Sequence, residues 1–146
     1  MRIGIIGYGV VGKAIEKTLK KKYEIVKYDK YQSYDEFEDL STCDFVFISV
    51  PTPFDCKEKK VIQSAVIDSL SRLQKLRYNK IVIIKSTILP GSSAKYSDKY
   101  NLNIAFNPEF LRESTTPNED FENQEIIVLG TSNLETFKSI KKMYQA

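Results

Sequence analysis

Six short apolar runs punctuate the chain: Ile3–Ile6, Ile25–Tyr28, Phe45–Val50, Ile81–Ile84, Ile104–Phe106 and Ile126–Leu129. Most are β-branched and continuous rather than alternating, the pattern of strands buried on both faces of a parallel sheet. Between them the spacing changes to that of helices. Val11, Ile15, Thr18 and Leu19 share one helical stripe, and Ile62, Val66, Leu70 and Leu73 another. A last helix is predicted to open at Ser132-Asn-Leu-Glu135, a capping-box pattern, with Leu134, Phe137, Ile140 and Tyr144 on one side. Strand and helix alternate through short links, without linker, repeat or low-complexity stretch. The pattern predicts one α/β domain over residues 1–146, a doubly wound parallel sheet of about six strands.

One connection is too short for the usual version of that fold. Roughly 15 residues, Lys30–Asp44, separate the second strand from the third, whereas a single crossover takes at least about 10–12. An edge strand and its crossover are therefore expected to be missing. Tyr34–Leu40 would carry the chain directly across the first strand, giving the order 2-1-3-4-5-6 with the second strand at the edge.

Composition narrows the class. The 146 residues are 42% hydrophobic and 28% charged, a globular balance. No apolar run approaches the roughly 18 residues of a membrane span. The N-terminus shows no cleavage-site pattern and runs straight into a glycine motif, so no signal peptide is expected. Two cysteines, Cys43 and Cys56, are too few for a disulfide framework and fit a reducing cytoplasm. The net charge of +3 is mild, and the lysine runs Lys20–Lys22 and Lys57–Lys60 read as solvated surface rather than a nucleic-acid footprint. There is no histidine. That removes histidine triads, Cys-His pairs and histidine metal sites together, and no metal site is expected. Acid–base chemistry must come from carboxylates, lysine, tyrosine or water.

The chemistry-bearing stretches fall at strand ends. Gly7-Tyr8-Gly9-Val10-Val11-Gly12 matches G-x-G-x-x-G between the first strand and a helix, the Rossmann-like dinucleotide context. Gly7 would allow the tight turn, Gly9 the approach of a pyrophosphate, and Gly12 close packing of helix on strand. Asp29 ends the second strand 20 residues after Gly9, where an acid accepts hydrogen bonds from the adenosine ribose and repels a 2′-phosphate. Lys30 beside it tempers that preference, and a merely solvated acid is the plain alternative. The third strand exits through Ser49-Val50-Pro51-Thr52-Pro53, a rigid extended turn that is equally an ordinary loop or part of a site. The fourth ends in Lys85-Ser86-Thr87-Ile88-Leu89-Pro90-Gly91. A strand-end lysine and hydroxyl need partners, so Lys85 and Thr87 should face a polar crevice, although a helix-capping role is open to this stretch. The fifth ends in Asn107-Pro108-Glu109-Phe110-Leu111-Arg112-Glu113. Asn107 suits an N-cap, Pro108 the first helical position, and Glu109 the positive helix end with Arg112 as an i+3 partner. That local account leaves Glu113 without a partner. All five stretches lie at the carboxyl ends of predicted parallel strands, the edge at which open α/β sheets bind ligands.

Taken together, GYGVVG, SVPTP, KSTILPG and FNPEFLREST resemble the N-terminal domain of the UDP-glucose/GDP-mannose dehydrogenase family, in family order and over most of the chain. Those enzymes use two molecules of NAD to oxidise carbon 6 of a sugar nucleotide from alcohol to carboxylate. The resemblance implies that Gly7, Tyr8, Gly9, Val10, Val11, Gly12 and Asp29 bind NAD, beside Val50, Pro51, Thr52, Ser86 and Thr87. It implies that Glu109, Phe110, Leu111 and Arg112 border a sugar nucleotide of the UDP-glucose or GDP-mannose type. Thr87 and Glu109 would hold or activate a catalytic water, and Glu113 would lie close to the nicotinamide.

The departures are as informative. A basic residue commonly follows the ribose aspartate by five positions in the family, and here that position is Tyr34. The family's catalytic cysteine, with a lysine and an asparagine of the connecting helix, belongs to a later region absent from these residues, and neither Cys43 nor Cys56 has its context. The expectation is an NAD-binding domain that needs a C-terminal domain or partner chain for turnover. A non-catalytic dinucleotide-binding module is the alternative, and a 3-hydroxyacid-type dehydrogenase is a third reading that NPEFLRE argues against. No nucleic-acid or membrane partner is expected, and a homo-oligomer is left open.

Overall fold

The structure, a computed structural model, describes residues 1–109 and 126–145. Five of the apolar runs form strands of one parallel sheet: β1 (Arg2–Ile6), β2 (Glu24–Tyr28), β3 (Phe45–Ile48), β6 (Ile81–Ile84) and β7 (Asn103–Phe106). Their order is β2-β1-β3-β6-β7, every neighbour parallel. The period-2 alternation of strand side chains divides the core between two faces. Ile3, Ile5, Phe45, Phe47 and Ile83 pack against α1 (Val10–Leu19) and the last helix, α4 (Leu134–Gln145). Ile6, Val26, Val46, Ile48, Val82 and Ile84 pack on the other face, which α2 (Ser64–Lys75) and α3 (Ser92–Tyr100) cover. Burial on both faces is why these runs carry no alternation.

The short second connection behaves as expected. Residues 30–43 add no strand beyond β2, which stays at the edge. The chain instead crosses β1 as a 3₁₀ helix, Phe37–Thr42, opened by reciprocal bonds between Glu36 and Asp39. Gly4 makes the close crossing possible, since a Cβ there would stand 2.7 Å from Leu40 Cδ2 and 3.3 Å from Cys43 Sγ.

Three expectations need correction. The described sheet has five strands, not six: Ile126–Leu129 makes no ladder among the described residues, and just after it the chain pairs with β7 at an isolated antiparallel bridge between Gly130 and Phe106. Ile126 is 73% exposed. An apolar run therefore did not suffice as a strand signal where no described strand pairs with it. Second, Asn133 rather than Ser132 caps α4, its Oδ1 accepting from the amides of Glu135 and Thr136 at 2.9 and 3.1 Å. Third, α4 buries Thr136, Ile140 and Met143, while Leu134 and Phe137 stay largely exposed, so its inward stripe is rotated from the one expected. A small hairpin unforeseen in the sequence, β4 (Phe54–Asp55) with β5 (Lys60–Val61), follows the Val50–Pro53 turn.

Candidate functional site

At the carboxyl edge of the sheet lies a crevice of about 1230 Å³. The glycine turn supplies its floor. Gly7 has φ +89°, and a Cβ there would strike the Ser49 carbonyl oxygen at 2.8 Å. Ser49 Oγ donates in turn to the Gly7 carbonyl at 2.8 Å, which joins the first and third strand exits. A Cβ on Gly12 would lie 2.3 Å from the Gly7 oxygen, so α1 can approach β1 only with glycine at that position. Gly9, by contrast, meets nothing within 4 Å. It is the N-cap of α1 and opens onto the crevice. A bare backbone turn at a helix N-terminus, with free space above its glycine, fits a dinucleotide pyrophosphate.

Asp29 is half-buried at the end of β2 and is fixed by backbone amides. Its Oδ2 accepts from Tyr8 N at 2.8 Å and its Oδ1 from Tyr31 N at 2.9 Å. The carboxylate is thus held against the glycine turn with lone pairs remaining for a ribose. Tyr8 contributes through this amide, because its side chain turns away from the crevice. Its hydroxyl donates to Glu16, Lys27 Nζ bonds Glu16 at 3.0 Å, and Tyr34 packs edge-on to its ring at 4.8 Å. The Lys27 and Tyr8 contacts hold the Glu16 carboxyl below its ordinary range against the upward pull of burial.

The other end of the crevice is built by β3, β6 and β7. Val50, Pro51, Thr52, Ser86, Thr87 and Glu109 all line it. Ser86 Oγ donates to the Val50 carbonyl at 2.7 Å, pinning the fourth strand exit to the third. Lys85, side chain 1% exposed, forms an ion pair of 2.6 Å with Glu109, side chain 8% exposed. Asn107 Oδ1 accepts from Lys85 Nζ at 3.2 Å and from Tyr144 of α4 at 2.7 Å, while its amide donates to the Val128 carbonyl at 2.9 Å. Burial lowers the Lys85 pKa against the opposing pull of Glu109, and burial with the Glu109 charge raises that of Tyr144. Phe110, Leu111, Arg112 and Glu113 lie outside the described residues, so the Glu109–Glu113 and Glu109–Arg112 juxtapositions do too.

Ten predicted positions therefore share one crevice with Glu109: Gly7, Gly9, Val10, Val11, Asp29, Val50, Pro51, Thr52, Ser86 and Thr87. Gly12 lies beneath it as packing, not lining. The sequence places Asn107 as a helix cap and Tyr144 on a helix stripe and gives Arg72 no role, whereas all three bound or brace this edge. The buried polar partner demanded by Lys85 was the available signal for the first two. The cysteines are elsewhere. Cys43 is fully buried ahead of β3 at the opposite edge, where burial pushes its thiol up to about 11, and Cys56 is exposed on the hairpin turn. A second cavity of about 1020 Å³ at that opposite edge, beside Arg77, Asn101 and Asn133, includes none of the predicted residues.

Residues 10–146 match the NAD binding domain of the UDP-glucose/GDP-mannose dehydrogenase family. The chain belongs to this family. Its UDP-glucose 6-dehydrogenase relative from Rickettsia conorii is 32% identical over 114 residues, 73% of this chain and 26% of that one. Among solved structures, UDP-glucose dehydrogenase from Pyrobaculum islandicum superposes with TM-score 0.85 at 20% identity, over 99% of this chain and 44% of that one. GDP-mannose dehydrogenase from Pseudomonas aeruginosa, solved as a ternary complex, superposes with TM-score 0.81 at 21% identity and the same coverage. The chain thus spans 26% to 44% of the length of these relatives. Membership of this NAD-binding family assigns NAD as the cofactor, and the fold is that of a dehydrogenase NAD-binding domain. Among the described residues no helix is long and apolar enough to cross a membrane.

Proposed function

We propose that the chain forms the NAD-binding part of a sugar-nucleotide 6-dehydrogenase, acting on a substrate of the UDP-glucose or GDP-mannose type. The observation that carries this reading is the single crevice running from the glycine turn to the buried Lys85–Glu109 pair. NAD, when bound, supplies the hydride acceptor. The chain's own residues do the rest: the α1 N-terminus and the Gly7–Gly12 turn bind the pyrophosphate, and Asp29 accepts from the adenosine ribose. Val50–Thr52 and Ser86 wall the crevice against water. Thr87 and Glu109 hold a water at the sugar side, and Lys85 keeps the Glu109 carboxylate in place. Glu113, outside the described residues, is given the nicotinamide side by the family resemblance alone.

Two oxidation steps to a carboxylate also need a nucleophile that holds the aldehyde between hydride transfers. Cys43 is sealed in the core at the wrong edge and Cys56 stands on an exposed turn, which supports a requirement for a further domain or partner chain. The 146-residue chain should bind NAD and show no NADH absorbance with either sugar nucleotide, and addition of the C-terminal region of a relative should restore it. Steady turnover by this chain alone would overturn the division of labour. Failure to bind NAD would overturn the reading as a whole.

A further inference from the structure

The crevice is lined by more than the residues assigned to the pyrophosphate, the ribose and the nicotinamide side. Beside Asp29 its lining includes Tyr28 and Phe37, and Ala65, Asp68 and Arg72 of α2. Tyr28 and Phe37 meet edge to face, centroids 5.0 Å apart and planes at 89°. Arg72 lies across both rings. Its Cζ is 3.8 Å from the Phe37 centroid and 4.7 Å from that of Tyr28, and Nη1 donates to the Tyr28 hydroxyl at 2.5 Å. Among the described residues no carboxylate forms an ion pair with it. A guanidinium held in this way is oriented by aromatic faces and one hydroxyl rather than by an opposite charge. It is planar, weakly hydrated and well suited to stack on a second π-face.

We propose that Arg72, braced by Phe37 and Tyr28, is the platform on which the adenine base of the dinucleotide stacks. The proposal rests on the cofactor reading above. Arg72 is held over Phe37 and also lines the crevice, so its guanidinium can meet a ligand there. Asp29 places the ribose next to Tyr28 in the chain, so the attached purine reaches this end, while the glycine turn separates it from Glu109. The 3₁₀ helix that replaces a full crossover is what delivers Phe37 to the spot. The shortened connection thereby contributes a wall of the base pocket and not merely a saving in length.

The experiment compares the full chain with Arg72→Leu and Arg72→Lys, each checked for an unchanged far-ultraviolet spectrum and melting point. Titrations use NAD, AMP and nicotinamide mononucleotide, the last followed by ligand-observed NMR. Base stacking of this kind predicts a loss of roughly 5- to 150-fold for both NAD and AMP in Arg72→Leu. Arg72→Lys, which keeps the charge and loses the planar face, should recover only part of it. Affinity for nicotinamide mononucleotide, which lacks the purine, should not change. AMP affinity unchanged in both variants, or all three ligands weakened alike, overturns the assignment. An unmodified chain that binds neither NAD nor AMP overturns the cofactor reading with it.

Discussion

Replacing Lys85 with methionine tests the most buried electrostatic feature of the crevice. The Lys85 side chain is 1% exposed, and its ammonium lies 2.6 Å from the carboxylate of Glu109, whose side chain is 8% exposed. Removing it deletes a hydrogen-bond donor to Asn107 and leaves that carboxylate in the crevice wall without the ammonium. Loss of one member of such a buried pair costs about 3–5 kcal/mol. That is a large share of the roughly 5–15 kcal/mol that stabilises a domain, and for a chain of this size it corresponds to a fall in Tm of about 6–20 °C. The burial that lowers the Lys85 pKa also means that keeping the ammonium charged here is itself unfavourable. The double variant Lys85→Met/Glu109→Leu, apolar and similar in volume, should therefore lie much closer to the unmodified protein than Lys85→Met does. Urea unfolding followed by circular dichroism at pH 7 and fixed salt gives all four corners of the cycle. A Lys85→Met variant within about 1 kcal/mol of the parent, or a double variant as unstable as the sum of its singles, would refute the coupling.

The remaining predictions concern the turn, the ribose acid and the thiols. Gly12→Ala forces a Cβ to within 2.3 Å of a backbone oxygen, so α1 must move off β1; it should lower stability by about 1–3 kcal/mol and weaken NAD, read from the urea midpoint and calorimetry. Asp29→Ala should weaken NAD and narrow its advantage over NADP, and NADP binding as tightly as NAD to the unmodified chain would contradict the role given to that carboxylate. Iodoacetamide at pH 8 should label exposed Cys56 within minutes and leave Cys43 intact until urea is added, as mass spectrometry of the digested chain would show. Because the Cys43 thiol is raised to about 11 in the fold, its contribution to stability is complete below the unfolded value near pH 8.5. It is lost as pH climbs through about 11, and Cys43→Ala should remove that part of the alkaline dependence.

The sequence by itself determined the features that are local in the chain. Continuous β-branched runs at Ile3–Ile6, Phe45–Val50 and Ile81–Ile84 announce buried parallel strands, because a strand covered on both faces has no polar side to alternate with. Gly7-Tyr8-Gly9-Val10-Val11-Gly12 located the turn, since only glycine tolerates φ +89° at position 7 and the 2.3 Å approach at position 12. Counting residues between β2 and β3 was enough to delete an edge strand, as chain length bounds what a crossover can do. Tertiary packing alone decided the rest. Ile126–Leu129 reads like a strand but finds no ladder partner among the described residues, and the stripe of α4 was set by the sheet face beneath it rather than by its own periodicity. The Lys85–Glu109 pair joins residues 24 apart, and the Tyr144–Asn107 bond residues 37 apart. Arg72 met Phe37 only because a 3₁₀ helix took the place of a missing crossover. Such partners are chosen by how strands order themselves in space, and no local pattern in the chain encodes the distance between two of its strand ends.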